Sequence, residues 1–139
     1  MTKLIKSKKR VKENGEVFTP PELVNEMLDK LPKDMWHNSR TFLDPASGNG
    51  NMLIEVYRRK MKWGHSPYDI AKTTYGIDIM EDNVVECKQR LSELLGKYIE
   101  MFAPDCISAS IMKKDCNSII DRNIKCCDSL AEDWEELFK

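Results

Sequence analysis

An α/β fold is the class this sequence predicts: a parallel sheet of about three strands flanked by helices. Three observations predict it. Short apolar runs alternate along the chain with amphipathic helical patterns. Two of those runs, TFLD and YGIDI, set Asp44 and Asp78 34 residues apart, which fits one strand–helix–strand unit. All three runs end at or beside an aspartate, Asp44, Asp78 or Asp128. In a parallel sheet these carboxylates gather on one rim, beyond the carboxyl ends of the strands, where ligands sit.

The chain opens on basic residues: Lys3, Lys6, Lys8, Lys9, Arg10 and Lys12 come before any acid. Residues 1–15 are expected as a flexible basic arm, either a solvated terminus or a contact for a phosphate backbone. Residues 16–139 are expected as one domain. In EVFTPPELVNEMLDKLP, Thr19 and Glu22 match a capping box and Pro20 suits a first helical turn. Leu23, Val24, Met27, Leu28 and Leu31 then recur at helical spacing, and Pro32 ends the run. DMWHNSR reads as a loop. TFLD, residues 41–44, is a strand too apolar to alternate, as when both faces are covered.

A helix is expected over residues 52–61, with Leu53, Ile54, Val56 and Tyr57 on its apolar side, ending at the Gly64–Pro67 stretch. IAKTT reads as either a helical turn or a loop, and YGIDI as the second strand. EDNVVECKQRLSELLGKYI gives a helix with Val84, Cys87, Leu91, Leu94 and Leu95 on one face, loosened near its end by Gly96. Residues 100–122 read as a loop with a broken helix. NIKCCDSL is the third strand, ending at Asp128, and an acidic helical segment runs on to Lys139.

Composition narrows the function classes. The 139 residues are 41% hydrophobic and 32% charged with a formal net charge of −1, so no global charge drives the chain to nucleic acid. Its five cysteines are odd in number and follow no ligand-pair spacing, which points to a reducing, cytoplasmic setting and to no metal. No stretch approaches the roughly 20 apolar residues of a membrane span.

The turn DPASGNG allows close backbone approach at Gly48 and Gly50. Amides around residues 47–51 are expected to face the rim from the start of the next helix and to meet an anionic group. It is neither a dinucleotide fingerprint nor a phosphate loop with its lysine. Asp44 would repel a pyrophosphate and suits an ammonium beside a carboxylate. Asp78 has the place of an acid accepting from ribose hydroxyls, and Asp128 suits an exocyclic amine. Each aspartate alone reads equally as a helix cap or a solvated strand end. The ordered set points to a ligand joining a nucleoside to an amino acid.

These segments resemble the cofactor-binding part of class I S-adenosylmethionine-dependent methyltransferases, specifically the adenine-N6 DNA methyltransferases. FTPPELV resembles the segment over the methionine part of the cofactor, DPASGNG the glycine-rich loop, YGIDI the ribose-binding strand and NIKCCDSL the adenine-reading one. The resemblance covers about residues 16–130. It implies a partial Rossmann-like methyltransferase fold, with residues 16–139 a truncated S-adenosylmethionine-binding domain. It places Phe18, Thr19 and Pro20 beside the methionine moiety, and Asp44, Pro45, Ala46, Ser47 and Gly48 around its amino-acid end. Asp78 and Ile79 would contact ribose and adenine, with a core role for Ile79 equally open. Asp128 and Ser129 would contact the base.

In this family a fourth strand ends in an Asn- or Asp-Pro-Pro-aromatic motif that holds the flipped target base. That motif is absent here, since the one adjacent proline pair, Pro20–Pro21, opens the first helix. The resemblance therefore implies the cofactor half of a site-specific DNA methyltransferase, inactive alone, of bacterial or phage restriction–modification type. The alternative is a non-enzymatic protein that binds the cofactor or regulates a methyltransferase partner. Without the fourth strand, the first strand has an open edge. A homodimer contact, another protein, the acidic segment at residues 130–139 or the remainder of a longer protein is the expected cover. DNA is an expected partner through the resemblance and the basic arm.

Overall fold

The computed structural model describes residues 4–14 and 16–139, with residues 12–14 described by backbone alone. In chain order the elements are α1 (Lys8–Asn14), α2 (Pro21–Asp29), α3 (Asp34–His37), β1 (Phe42–Asp44), α4 (Asn51–Lys62) and α5 (Pro67–Lys72). They continue with β2 (Thr74–Asp78), α6 (Glu81–Phe102), α7 (Cys106–Asn123), β3 (Ile124–Cys126) and α8 (Trp134–Leu137). The strands form one parallel sheet in the order β1-β2-β3, with Phe42 opposite Thr74 and Gly76 opposite Ile124. The α/β class, the parallel sheet and the three strands match the sequence expectation.

Both crossovers contribute to one core. Leu53 and Tyr57 of α4, Ile70 of α5, Leu91 and Leu95 of α6, Ile120 of α7 and Ile124 of β3 are buried together. Burying each such aliphatic side chain is worth roughly 1.5–3 kcal/mol. A smaller cluster joins Val24 and Leu28 of α2, Trp36 of α3 and Val56 of α4, with Phe42 packed against it. Helix α4 thus has apolar residues facing both clusters, which fixes its amino-terminal end against the sheet.

Gly76 sets how closely that end approaches. A Cβ there would lie 2.7 Å from Leu53 Cδ1 and 3.0 Å from Ser47 Cβ. Its absence lets α4 and the preceding turn close onto β2. At the far end of α4, Lys60 is fully buried. Its Nζ donates to the Arg40 carbonyl at 2.8 Å and to Thr73 Oγ1 at 2.6 Å, tying the helix to the segments that enter β1 and β2. Burial pushes this ammonium down to about 8.

Several local expectations are corrected. Helix α2 starts at Pro21, with Pro20 as its N-cap at φ −67° and ψ 152° and no side-chain cap. Pro21 favours extended backbone in the residue before it, which shifts the start by one residue and removes Thr19 from capping reach. The Thr19 carbonyl instead accepts from Asn51 Nδ2 at 2.9 Å. DMWH forms the short helix α3 rather than a loop. Strand β1 is half-buried rather than covered on both faces. Helix α6 passes through Gly96 to Phe102, and the stretch expected as a broken helix is the continuous 18-residue α7. Asp105 caps α7 by accepting from the Ser108 amide at 2.7 Å. Strand β3 stops at Cys126, two residues short of Asp128.

The basic segment also differs from a free arm in its described part. Residues 8–14 form α1, the Leu4 carbonyl accepts from the Phe18 amide at 2.6 Å, and Arg10 pairs with Glu16 and Asp82. Residues 1–3 and 15 of the expected arm lie outside the described residues.

Candidate functional site

A cavity of about 560 Å³ opens at the carboxyl ends of the strands. This is within the range of small-molecule sites, roughly 300–1,000 Å³. Every sequence-expected site residue lines it except Pro20, which caps α2. The lining runs from Phe18 and Thr19 before α2, through Asp44, Pro45, Ala46, Ser47 and Gly48, to Asp78 and Ile79 after β2 and Asp128 and Ser129 after β3.

The glycine turn is held from several sides. The Ser47 amide and hydroxyl both donate to the Ile77 carbonyl, at 2.8 and 3.2 Å. The Gly48 amide donates to Asp78 Oδ1 at 3.1 Å, and the Gly50 amide to the Ser47 carbonyl at 2.9 Å. Gly48 has φ +53°, and a Cβ there would meet the Phe18 ring at 3.0 Å. That angle favours glycine, and any Cβ would press on the ring above it. The expectation that the amides of residues 47–51 face the rim is therefore corrected for three of them: those of Ser47, Gly48 and Gly50 are used within the protein. The first-turn amides of α4, which helix geometry leaves without internal partners, are the ones beside the cavity, where Asn51 and Met52 line it.

Arg90 was invisible to sequence reasoning because it looks like a solvated residue of α6. Its Nη1 donates to the Asn49 carbonyl at 2.9 Å and to Asn51 Oδ1 at 2.8 Å. Asn51 in turn holds Thr19, so one chain of hydrogen bonds joins α6, the glycine turn and the segment before α2. Also missed were Glu16, Met27, Asn49, Asn51 and Met52, all lining the cavity. Only the position of Asn49 within the glycine turn and of Asn51 directly after it offered a signal in the sequence.

The acidic groups have distinct surroundings. Asp44 is half-buried, and its Oδ1 accepts from the Ala46 amide at 3.1 Å. Burial raises its carboxyl above the ordinary range, the Ala46 bond opposes this, and the charge of Asp78 adds to the rise. Asp78 accepts from Gly48 on Oδ1, and from Met80 N at 3.1 Å and Asn83 Nδ2 at 3.0 Å on Oδ2. Asp128 is exposed and accepts from the Leu130 amide at 3.0 Å. Ile79 is 54% exposed, which places it at the cavity rather than in the core.

These acceptors suit a cationic ligand. Asp44 would gain from a positive charge that relieves both its burial and the neighbouring Asp78. Asn49 Oδ1 is a buried acceptor with no hydrogen-bond partner beside the same cavity. A ligand ammonium supplies what both groups lack. Phe18 and Ile79 offer apolar surface to its neutral parts.

Comparison with known proteins agrees with the fold. The family model of N-6 DNA Methylase matches residues 4–92, and the chain belongs to that family. The Type II methyltransferase M.VspI of Vibrio sp. (strain 343) is 40% identical over 82 residues. That alignment covers 59% of this chain and 18% of the relative, so the chain spans less than a fifth of the relative's length. No solved structure matches. The family match starts at residue 4 and so includes the described part of the basic segment, while Asp128 and Ser129 lie beyond its end. Among the described residues no helix is long and apolar enough to cross a membrane.

Proposed function

We propose that this chain binds S-adenosylmethionine and supplies the methyl-donor pocket of a site-specific adenine-N6 DNA methyltransferase. The observation that carries the reading is convergence. Asp44, the glycine turn, Asp78 and Asp128 come from three strand ends and meet around one cavity with Phe18. Family membership supports reading that cavity as a cofactor site, and DNA enters as substrate through the family's description.

Each side chain then has a task. Asp44 and Asn49 take the ligand ammonium, and the first-turn amides of α4 take its carboxylate. Phe18 and Thr19 pack along the methionine moiety, with Pro20 fixing their approach from the start of α2. Asp78 accepts from the ribose hydroxyls, Ile79 packs on adenine, and Asp128 with Ser129 reads the adenine amine. The bound cofactor supplies an electrophilic methyl on sulfonium, and the protein's part is to fix its position.

Two finer statements belong to the same proposal. The 139 residues contain no Asn- or Asp-Pro-Pro-aromatic motif, so this chain alone holds the donor without aligning a target adenine. The outer edge of β1 is covered by polypeptide beyond these residues: a second copy, a partner protein or the remainder of a longer chain. The setting is the cytoplasm of a bacterium or a phage-infected host, as part of restriction–modification.

Calorimetric titration with S-adenosylmethionine tests the central claim. Saturable one-to-one binding is expected, and Asp78→Ala should weaken it by roughly 2–4 kcal/mol if two charge-assisted bonds are lost. Undiminished affinity in that variant would remove Asp78 from the site, and no binding by the unaltered chain would refute the reading as a whole.

A further inference from the structure

One buried amide beside the cavity stands between two carboxylates, and none of the tasks assigned above uses it. Asn83, in the first turn of α6, is fully buried. Its Nδ2 donates to Asp78 Oδ2 at 3.0 Å and to Glu16 Oε2 at 3.0 Å. The same Glu16 oxygen accepts from Arg10 Nη2 at 2.9 Å. Arg10 also closes a two-pronged pair on Asp82, at 2.7 and 2.9 Å. Lys6 Nζ reaches Asp82 at 3.0 Å. The segment before the cavity is thus connected, side chain by side chain, to the aspartate at the end of β2.

We infer that Asn83, backed by Glu16 and Arg10, is a positioning residue that fixes the Asp78 carboxylate for the hydroxyls of a bound ribose. The inference rests on the reading of Asp78 as the ribose acceptor. The terminal torsion of an aspartate is broad, so its oxygens need outside partners to hold one orientation. Oδ2 of Asp78 has two, Met80 N and Asn83 Nδ2, whereas Oδ1 has one protein donor, Gly48 N. Oδ1 therefore keeps acceptor capacity for a ligand.

Asn83 holds this orientation because both hydrogens of its amide have acceptors. Turning the amide over would aim its oxygen at two carboxylates. Glu16 is the second acceptor, and its side chain is only 10% exposed. A carboxylate that buried, next to Asp78, needs a compensating cation, and Arg10 supplies it. Arg10 is anchored in turn by Asp82, whose carboxyl it holds well below the usual range through their hydrogen bonds. Helix α1 is on this account part of the nucleoside site.

The test uses the full chain, with S-adenosylhomocysteine and its 2′-deoxy analogue titrated side by side. The unaltered chain should prefer the hydroxylated ligand by roughly tenfold, the value of one hydrogen bond to a charged acceptor. Asn83→Leu should bring the two affinities within roughly twofold, because a mobile carboxylate no longer rewards the hydroxyl. A variant that merely loosens the fold weakens both ligands alike and leaves the ratio intact. A retained preference, or equal weakening, overturns the inference. If Asn83→Leu does not fold by circular dichroism, Arg10→Met carries the same expectation and the same refutation. Binding by the unaltered chain with no hydroxyl preference would instead remove the ribose role of Asp78, and absence of binding would remove the cofactor reading.

Discussion

Asp44 is the residue at which binding and stability pull apart. Its carboxyl is raised chiefly by burial, so the folded chain holds that proton more tightly than the unfolded chain does. The residue's contribution is therefore most favourable below its unfolded value of about 3.9 and is lost as pH rises through the raised folded value. Asp44→Asn removes the charge and keeps an oxygen for the Ala46 amide. At pH 7 this variant should melt about 2 °C or more above the unaltered ligand-free chain, the scale of a fraction of a kcal/mol for a domain this size. The gap should close as pH falls toward 4. Affinity for S-adenosylmethionine should drop about tenfold or more with the loss of a charge-assisted bond. Thermal unfolding across pH 4–8 together with calorimetry measures both. A lower melting temperature at pH 7 would show that Asp44 serves the fold rather than the ligand.

Elements were legible where their residues satisfied one strong local rule. Strands β1 and β2 are short apolar runs ending in acids, and α4 and α6 show helical spacing, so the rim, its aspartates and the glycine turn could be read directly, while the rest of the expected lining came from the family resemblance. Helix α7 could not. Its CISASIMKKDCNSIIDRN is rich in Ser, Ile, Asn and Asp, all weak helix formers. Burial of Ala109, Cys116, Ile119 and Ile120 in the shared core overrides that propensity. Gly96 did not loosen α6 because propensity there costs only about 1 kcal/mol inside a packed helix. The support behind the site was hidden for another reason. Arg10, Glu16, Asn83 and Arg90 act through partners far along the chain, and no local pattern marks them. One edge has consequences at this scale too. Among the described residues β1 pairs with β2 alone. The C-terminal segment sets Phe138 against Tyr75 of β2, with ring centroids 4.9 Å apart, while Leu130 stays 96% exposed. That segment meets the sheet at its second strand and leaves the backbone edge of β1 unpaired. Light scattering after size-exclusion chromatography should therefore show mass rising above 16.2 kDa with concentration. A single species of that mass throughout, with the amides of residues 42–44 protected from hydrogen exchange, would mean that the chain covers its own edge.

At the scale of the whole molecule, binding a methyl donor and transferring its methyl group separate. Transfer requires the acceptor nitrogen to be held in line with the donor methyl, and most of the rate gain comes from that alignment. The side chains around the cavity are carboxylates, amides, hydroxyls, a thiol and apolar groups, and those given a task in the proposed reading serve the cofactor. The one adjacent proline pair, Pro20–Pro21, is taken up in starting α2 and so presents no base-holding turn. The 139-residue chain, incubated with radiolabelled S-adenosylmethionine and DNA of mixed sequence, should leave the DNA unlabelled above a control without protein. The same preparation should bind the cofactor in calorimetry, so that inactivity is not mistaken for misfolding. DNA labelling that disappears in Asp44→Asn would overturn this expectation. It would mean that residues within the chain align an adenine by a route other than the family's proline motif, with the exposed rim at Asp128 to Leu130 the first place to look for it.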